Sequence, residues 1–257
     1  MAEVSQRFDL WSGVFDNFSA ATADQTVFEE KIWLDKSSDR ARQAANEHAR
    51  RSMFSQNAVA HEYVLPAVAA SIARADATLR IVDFGGGMAL TYFAVADALP
   101  TSQPLVFHIV ESGPLCRRAR ELNLCDERLS FHEELPVLDG HVDIVHAGSS
   151  IQYVEDWSGL LARLCSYRPS HIVLADVPAG DLPHSFVTGQ YFYGKRIAHW
   201  FFRMEELVFA VEQHGYRMTY HAPYIGSYLG ERRPLPMDGL PPTHRLRNFC
   251  QLMFRQV

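Results

Sequence analysis

Asp83, Gly85, Gly86 and Gly87 stand together in "LRIVDFGGGMALTYFAV", between a continuous apolar run and an amphipathic one. Glycines at that junction let the backbone turn sharply and lie close against a ligand. The acid just ahead of them complicates a phosphate cradle, because a carboxylate beside a pyrophosphate is repelled. The loop also departs from the dinucleotide fingerprint GxGxxG, since Leu90 occupies the place of its third glycine. A cationic, phosphate-free nucleoside removes the conflict, and S-adenosylmethionine, with its ammonium and sulfonium groups, is the cofactor that fits. Asp83 is then expected to face the ammonium directly or through water. Glu111 ends the second apolar run, where an acid can accept both hydroxyls of an adenosine ribose; that role suits either cofactor class. Phe84 and Ser112, beside these acids, complete the first group of candidate binding residues. A plain strand-to-helix turn with two acids by chance is the bland alternative.

Further along, "VHAGSSIQYVEDW" brings Ala147, Gly148 and Ser149 to the end of another apolar run, with Ser149 or Ser150 as an N-cap and Gln152 and Tyr153 within reach of cofactor or acceptor. His146 lies inside that run and reads as a packed, hydrogen-bonded core histidine. Asp176 ends the next run. It opens an aromatic-rich stretch, longer than an ordinary connection, that holds His184 and His199 and includes Phe186, Tyr191, Phe192, Tyr193, Trp200, Phe201 and Phe202. Aromatic walls with polar tips suit a sugar-like acceptor, and they equally suit the packing of N-terminal helices over the site. Asp176, Asp181 and His184 have the donor types of a magnesium site, but their spacing matches no metal motif, so no metal is expected.

These residues need a frame. Strand-like runs begin near Leu79, Pro104, Arg128, His141, Ser170, Tyr216 and Leu246, with helical spacing between most of them, as in Trp157, Leu160, Leu161 and Leu164. Alternation of this kind predicts an α/β fold with a doubly wound, seven-stranded, mostly parallel sheet, whose ligands bind at the carboxyl ends of the strands. Residues 1–76 read as a mostly helical N-terminal extension or lid, and residues 77–257 as the binding and catalytic domain. Exposed aromatics near the N-terminus suit a lid or a homodimer surface equally.

The chain has 257 residues, 47% of them hydrophobic, enough for one well-buried domain with appendages. Its net charge of −6 argues against a nucleic-acid groove. The four cysteines include no CxxC pair and suggest neither a disulfide frame nor a zinc site. No signal-like start and no membrane-length apolar run are present, so a cytoplasmic protein without membrane contact is expected.

"VDFGGG", the acid in "HIVES" and the seven-strand pattern resemble class I S-adenosylmethionine-dependent methyltransferases. "LWSGVFDNFSAA", "VDFGGGMALTYFA", "GSSIQYVEDW" and "FVTGQYFYG" are similar to a smaller group of methyltransferases found among polysaccharide-biosynthesis genes. The resemblance implies a Rossmann-like methyltransferase fold, S-adenosyl-L-methionine as cofactor, and O-methylation of a small hydroxylated, sugar-like substrate in a biosynthetic setting. It also implies that the loop holding His132, Glu133 and Glu134 passes the adenine. Methyl transfer to a sugar hydroxyl needs a base as the bond forms; His184, His199 and Asp176 are the candidates. A cofactor-binding subunit without activity and an NAD-dependent oxidoreductase are the competing readings.

Overall fold

The computed structural model of the chain describes residues 9–21, 23–50, 64–122, 124, 126–228 and 231–257. Strand β1 (Trp11–Phe15) comes first, followed by two 3-10 turns, of which Gln25–Glu29 is capped by the Asp24 carboxylate accepting from the Thr26 amide. Helix α1 (Lys31–Ala49) turns small residues inward, Ser38, Ala41 and Ala44 at helical spacing. Part of the extension expected to be mostly helical, residues 51–63, lies outside the described residues, and α2 (Val64–Ile72) follows it. Then follow β2 (Leu79–Phe84), α3 (Leu90–Ala98), β3 (Leu105–Val110), α4 (Gly113–Glu121), β4 (Leu129–His132), β5 (Ile144–Gly148) and α5 (Trp157–Ser166). The chain closes with β6 (His171–Val177), β7 (Ala179–Gly180), β8 (Phe186–Phe192), β9 (Lys195–Arg203), α6 (Met204–Glu212), β10 (Tyr216–Tyr224), β11 (Ser227–Tyr228), β12 (Glu231–Arg232) and β13 (Phe249–Gln256).

All seven expected strands enter one sheet, in the order β10-β13-β6-β5-β2-β3-β4. Neighbours from β6 to β4 run parallel, while β13 pairs antiparallel with both β6 and β10. β5 and β6 are almost wholly buried because helices cover both faces. Leu160, Leu161 and Leu164 of α5 and Leu207 and Val211 of α6 pack one face; Leu65 and Ala69 of α2 and Tyr92, Phe93 and Val95 of α3 pack the other. Ala98, near the end of α3, is exposed. Ser150 takes the N-cap position of a 3-10 turn, Ile151–Tyr153, without a side-chain capping bond, and α5 is capped by Asp156, which accepts from the Gly159 amide at 2.9 Å. Strand order reverses between β2 and β5, so a crevice opens at their carboxyl ends.

The aromatic-rich stretch after β6 is a hairpin. β8 and β9 pair antiparallel from Phe186↔Phe201 to Phe192↔Lys195, joined by Tyr193 and Gly194, both at positive φ as a type I′ turn requires. β1 from the N-terminal extension pairs with β8, giving a second sheet in the order β1-β8-β9-β7. The extension is thus part strand, and its Trp11 is fully buried with Phe186, Phe201 and Phe249. Gln25 continues the docking beyond β1: its Oε1 accepts from the Ala198 amide at 2.8 Å and its Nε2 donates to the Ala198 carbonyl at 3.1 Å. One side chain here imitates a strand neighbour along the buried part of β9. Replacing it, Gln25→Ala, is expected to lower stability by about 1–2 kcal/mol through the orphaned amide, read as a shifted denaturation midpoint. An unchanged midpoint would mean that the contact does not anchor the extension.

Candidate functional site

The crevice holds a cavity of 540 Å³ whose floor is the glycine turn and whose walls are Glu111, Ser112, Glu133, Gly148, Ser149 and Tyr153. Gly85 sits at φ +70°, and a Cβ there would overlap that of Ser150, whose hydroxyl donates to the Phe84 carbonyl at 2.9 Å. The turn after β2 and the turn after β5 therefore interlock only because Gly85 has no side chain. Gly87 is different: its φ is +58°, but the space beside it is open and belongs to the cavity. Glu111 reaches the floor from β3 and accepts from the Ser112 amide at 2.6 Å. Burial raises its carboxyl above the ordinary glutamate range; the Asp83 charge adds to this, while the amides of Ser112 and Gly87 oppose it.

Asp83 is not in the cavity wall. Its carboxylate is wholly buried under the turn, with Oδ1 2.7 Å from His146 Nδ1 and Oδ2 accepting from the Thr91 hydroxyl. A Cβ on Gly86 would overlap the same carboxylate. Of the two routes expected between Asp83 and a ligand ammonium, directly or through water, the direct one is corrected, because both carboxylate oxygens are engaged by the fold. Asp83 and Ala147 are fully buried behind the lining and Gly86 does not contribute to it, whereas Phe84, Gly85, Gly87, Glu111, Ser112, Gly148, Ser149 and Tyr153 line it. His146 is the packed, hydrogen-bonded residue that the sequence suggested.

A second cavity, of 310 Å³, adjoins the first and shares Trp33, Arg40, Ser149, Tyr153 and Phe192 with it. Its own wall includes Asp176, Gln152, Gln190, His199, Tyr224 and Arg247. His199 is buried in an aromatic box, with its ring 4.8 Å from Trp11 and 5.0 Å from Tyr153. Burial holds its imidazole down to about 3, so it is neutral at ordinary pH. Its Nδ1 and the Gln152 Oε1 are buried without a hydrogen-bond partner among the described residues. The Tyr153 hydroxyl, raised by burial, donates to Gln190 Oε1 at 3.1 Å and separates the two cavities.

Of the three candidate bases, the structure brings Asp176 and His199 to one chamber and leaves His184 outside it. His184 is exposed, with its ring 5.6 Å from that of His244. Among the acids after β4, only Glu133 lines the first cavity, and His132 pairs instead with His108 at 3.0 Å. Among the described residues, no group of three or more His, Cys, Asp or Glu side chains is gathered as metal ligands would be, and no helix is long and apolar enough to cross a membrane. The roof was not foreseen residue by residue. Phe28, Trp33 and Arg40 come from the N-terminal extension, and Trp33, Lys36 and Arg40 share one face of α1 at i, i+3, i+7, with the Lys36 ammonium 5.0 Å from the Tyr193 ring centroid. That spacing was the available signal. In the wall of a larger hollow of 660 Å³ elsewhere, His48 meets Asp97 and Arg128 pairs with Asp126.

No family profile and no curated protein matches the chain. Solved structures do. One is a candidate S-adenosylmethionine-dependent methyltransferase from Listeria monocytogenes, with 8% identity over 75% of this chain and 98% of that one, at a TM-score of 0.52. Another is a chain of the complex between the Haloferax volcanii Trm112 methyltransferase activator and a candidate methyltransferase, with 13% identity over 91% and 97% of the two chains, at 0.54. A third is the glycopeptide N-methyltransferase MtfA with S-adenosyl-L-methionine, at 10% identity, 75% and 92% coverage and 0.50. At these identities the likeness is one of fold, and the fold is the Rossmann-like one of methyltransferases.

The two glycines should respond differently to a methyl group. Gly87→Ala is expected to cost about 1 kcal/mol, the strain of a left-handed alanine, whereas Gly85→Ala adds overlap with Ser150 and costs about 3 kcal/mol or more. Denaturant midpoints of the two variants check this, and equal midpoints would contradict the interlocked turns.

Proposed function

We propose that this chain is an S-adenosylmethionine-dependent methyltransferase that O-methylates a small, sugar-like hydroxylated acceptor. The observation that carries the reading is the pairing of Glu111 with the open side of Gly87 in one cavity at the switch point, directly joined to a second, polar chamber. The fold likeness supports the cofactor class, and the second chamber supports an acceptor distinct from it.

The residues present fit the cofactor. Glu111 would accept the ribose hydroxyls, Glu133 the adenine amine, and Arg40, which reaches both cavities, would pair with the methionine carboxylate. Bound there, S-adenosylmethionine supplies an electrophilic methyl group on a sulfonium whose leaving form is a neutral thioether. The leaving group needs no proton, so the protein's work is to align the acceptor, exclude water and take one proton from the acceptor hydroxyl. Trp33, Phe28 and Phe192 roof the junction and keep water out. His199 and Asp176 are the groups to receive the proton: one is a neutral imidazole, the other a carboxylate at the end of β6.

Asp83 has a supporting part in this reading. Its charge lies under the turn, where it favours a cation above the floor over a pyrophosphate, without touching either. The N-terminal extension acts as the lid.

Calorimetric titration of S-adenosylhomocysteine and NAD tests the reading. S-adenosylhomocysteine should bind and NAD should not; binding of NAD alone would end it. Ribose hydroxyls donate to the ionised carboxylate, so affinity should rise as pH climbs through the raised Glu111 pKa and fall below it. Glu111→Gln should flatten that dependence and weaken binding about tenfold at neutral pH. With an accepted substrate, His199→Ala should lower kcat far more than KM; retained kcat would assign proton removal to Asp176.

A further inference from the structure

Two arginines lead into β13 and end in different surroundings. Arg245 is held by the loop before it: Nε donates to the Leu240 carbonyl at 2.7 Å and Nη2 to the Asp238 carbonyl at 3.2 Å. Arg247 lines the 310 Å³ chamber, and its guanidinium forms no ion pair with a described residue. On the neighbouring hairpin strand β9, Lys195 sits between Asp24 and Glu30, and Arg203 pairs with Glu205. In a chain of net charge −6, an unmatched guanidinium in the wall of a cleft is a specific provision for negative charge.

The same chamber contains an acid, Asp176, which would repel an anion placed against it. Register separates the two charges. β13 runs antiparallel to β6 with Cys250 opposite Val177, so Asp176 faces the interior of β13, while Arg247 precedes the strand and lies beyond the end of β6. Between them the wall is aromatic and polar, with Tyr153, Tyr224, His199 and Gln152. The Gln152 Oε1 and His199 Nδ1, both buried and lacking partners, suit hydroxyl donors. The volume admits a ligand the size of a monosaccharide.

We infer that the acceptor is an anionic monosaccharide-sized molecule, whose carboxylate or phosphate is held by Arg247 while its ring hydroxyl meets His199 and Asp176. This rests on the reading of the second chamber as the acceptor site. An anion there also opposes the burial that holds the imidazole low, so His199 becomes a better proton acceptor once the chamber is filled. Arg40 is left to the cofactor carboxylate, so the two cations divide the two ligands between them.

The test uses the full chain with glucuronate, glucose phosphate and methyl glucoside as probes, titrated with and without S-adenosylhomocysteine. At least one anionic probe should bind about tenfold more tightly than methyl glucoside, and the stronger of the two identifies carboxylate or phosphate. Arg247 is exposed, so Arg247→Gln should fold normally, which its thermal midpoint checks. It should lose the anion preference while its affinity for S-adenosylhomocysteine stays unchanged; Arg247→Lys should keep part of the preference. Equal affinities for the three probes, or a preference that survives in Arg247→Gln, overturns the inference. Anion preference without any binding of S-adenosylhomocysteine would instead sink the cofactor assignment and leave the anion site standing.

Discussion

The site depends on a buried carboxylate. Asp83 has no solvent exposure, and a carboxylate taken out of water without partners is costly by several kcal/mol. The fold supplies its partners from two other elements. His146 is its direct register neighbour on β5, and Thr91 reaches it from the first turn of α3. One side chain thus ties together the two strands at the switch point and the helix that leaves it. The turn between Asp83 and Thr91 is then obliged to pass over the carboxylate, which is why Gly86 has no room for a side chain. Removing one partner would leave the charge stranded, so this cluster is a condition for the cavity's floor rather than part of its surface.

Above that floor, the remaining walls are borrowed from distant sequence. The hairpin β8–β9 carries Gln190, Phe192 and His199, and β1 and the Gln25 turn hold the hairpin against the sheet. Aromatic contacts join the hairpin to the N-terminal extension, Phe28 with Phe192 at 5.6 Å and Trp33 with Phe192 at 5.4 Å. In the proposed methyl transfer, displacement at the methyl carbon would gain from a dry, rigid approach more than from acid or base strength. A roof of packed rings, with few polar groups placed at the junction of two chambers, meets that requirement.

The central sheet was legible because parallel strands covered on both faces appear as uninterrupted apolar runs, and "LRIVDF", "HVDIVHA" and "SHIVLAD" are such runs. The hairpin was not, for the opposite reason. Both its faces are buried, so "FVTGQYF" shows no alternation, and its turn is Tyr193-Gly194 rather than an Asn-Gly or Asp-Gly pair. Without the hairpin register, His184 and His199 look alike. With it, His199 shares a face with Ile197 and Phe201, turned toward Trp11, while His184 lies before the first paired residue. Asp83 was recognised as significant from its neighbours in sequence, but its actual partner is 63 residues away. Local spacing cannot reveal a contact made across a parallel pair.

Two strained residues mark where the chambers meet. Ser149 has φ +49° and Asp176 φ +50°, the left-handed region that side chains with a Cβ enter at a cost of about 1 kcal/mol or more. Both follow from the ends of adjacent parallel strands, β5 and β6, and the Ser149 amide donates to the Ala175 carbonyl at 2.9 Å. Gln152 spans them, with Nε2 3.3 Å from the Ser149 Oγ and 3.2 Å from the Asp176 carbonyl. An ordinary turn at either place would carry glycine or relax. Neither does, and one buried amide holds both, so this strained geometry shapes the cavities on its two sides: the turn at Ser149 borders both chambers and Asp176 the second. The strain at that wall is sustained by the same interlocked turns, Gly85 against Ser150, that the Asp83 cluster holds from below. Floor, dividing wall and chamber end are therefore one mechanical unit.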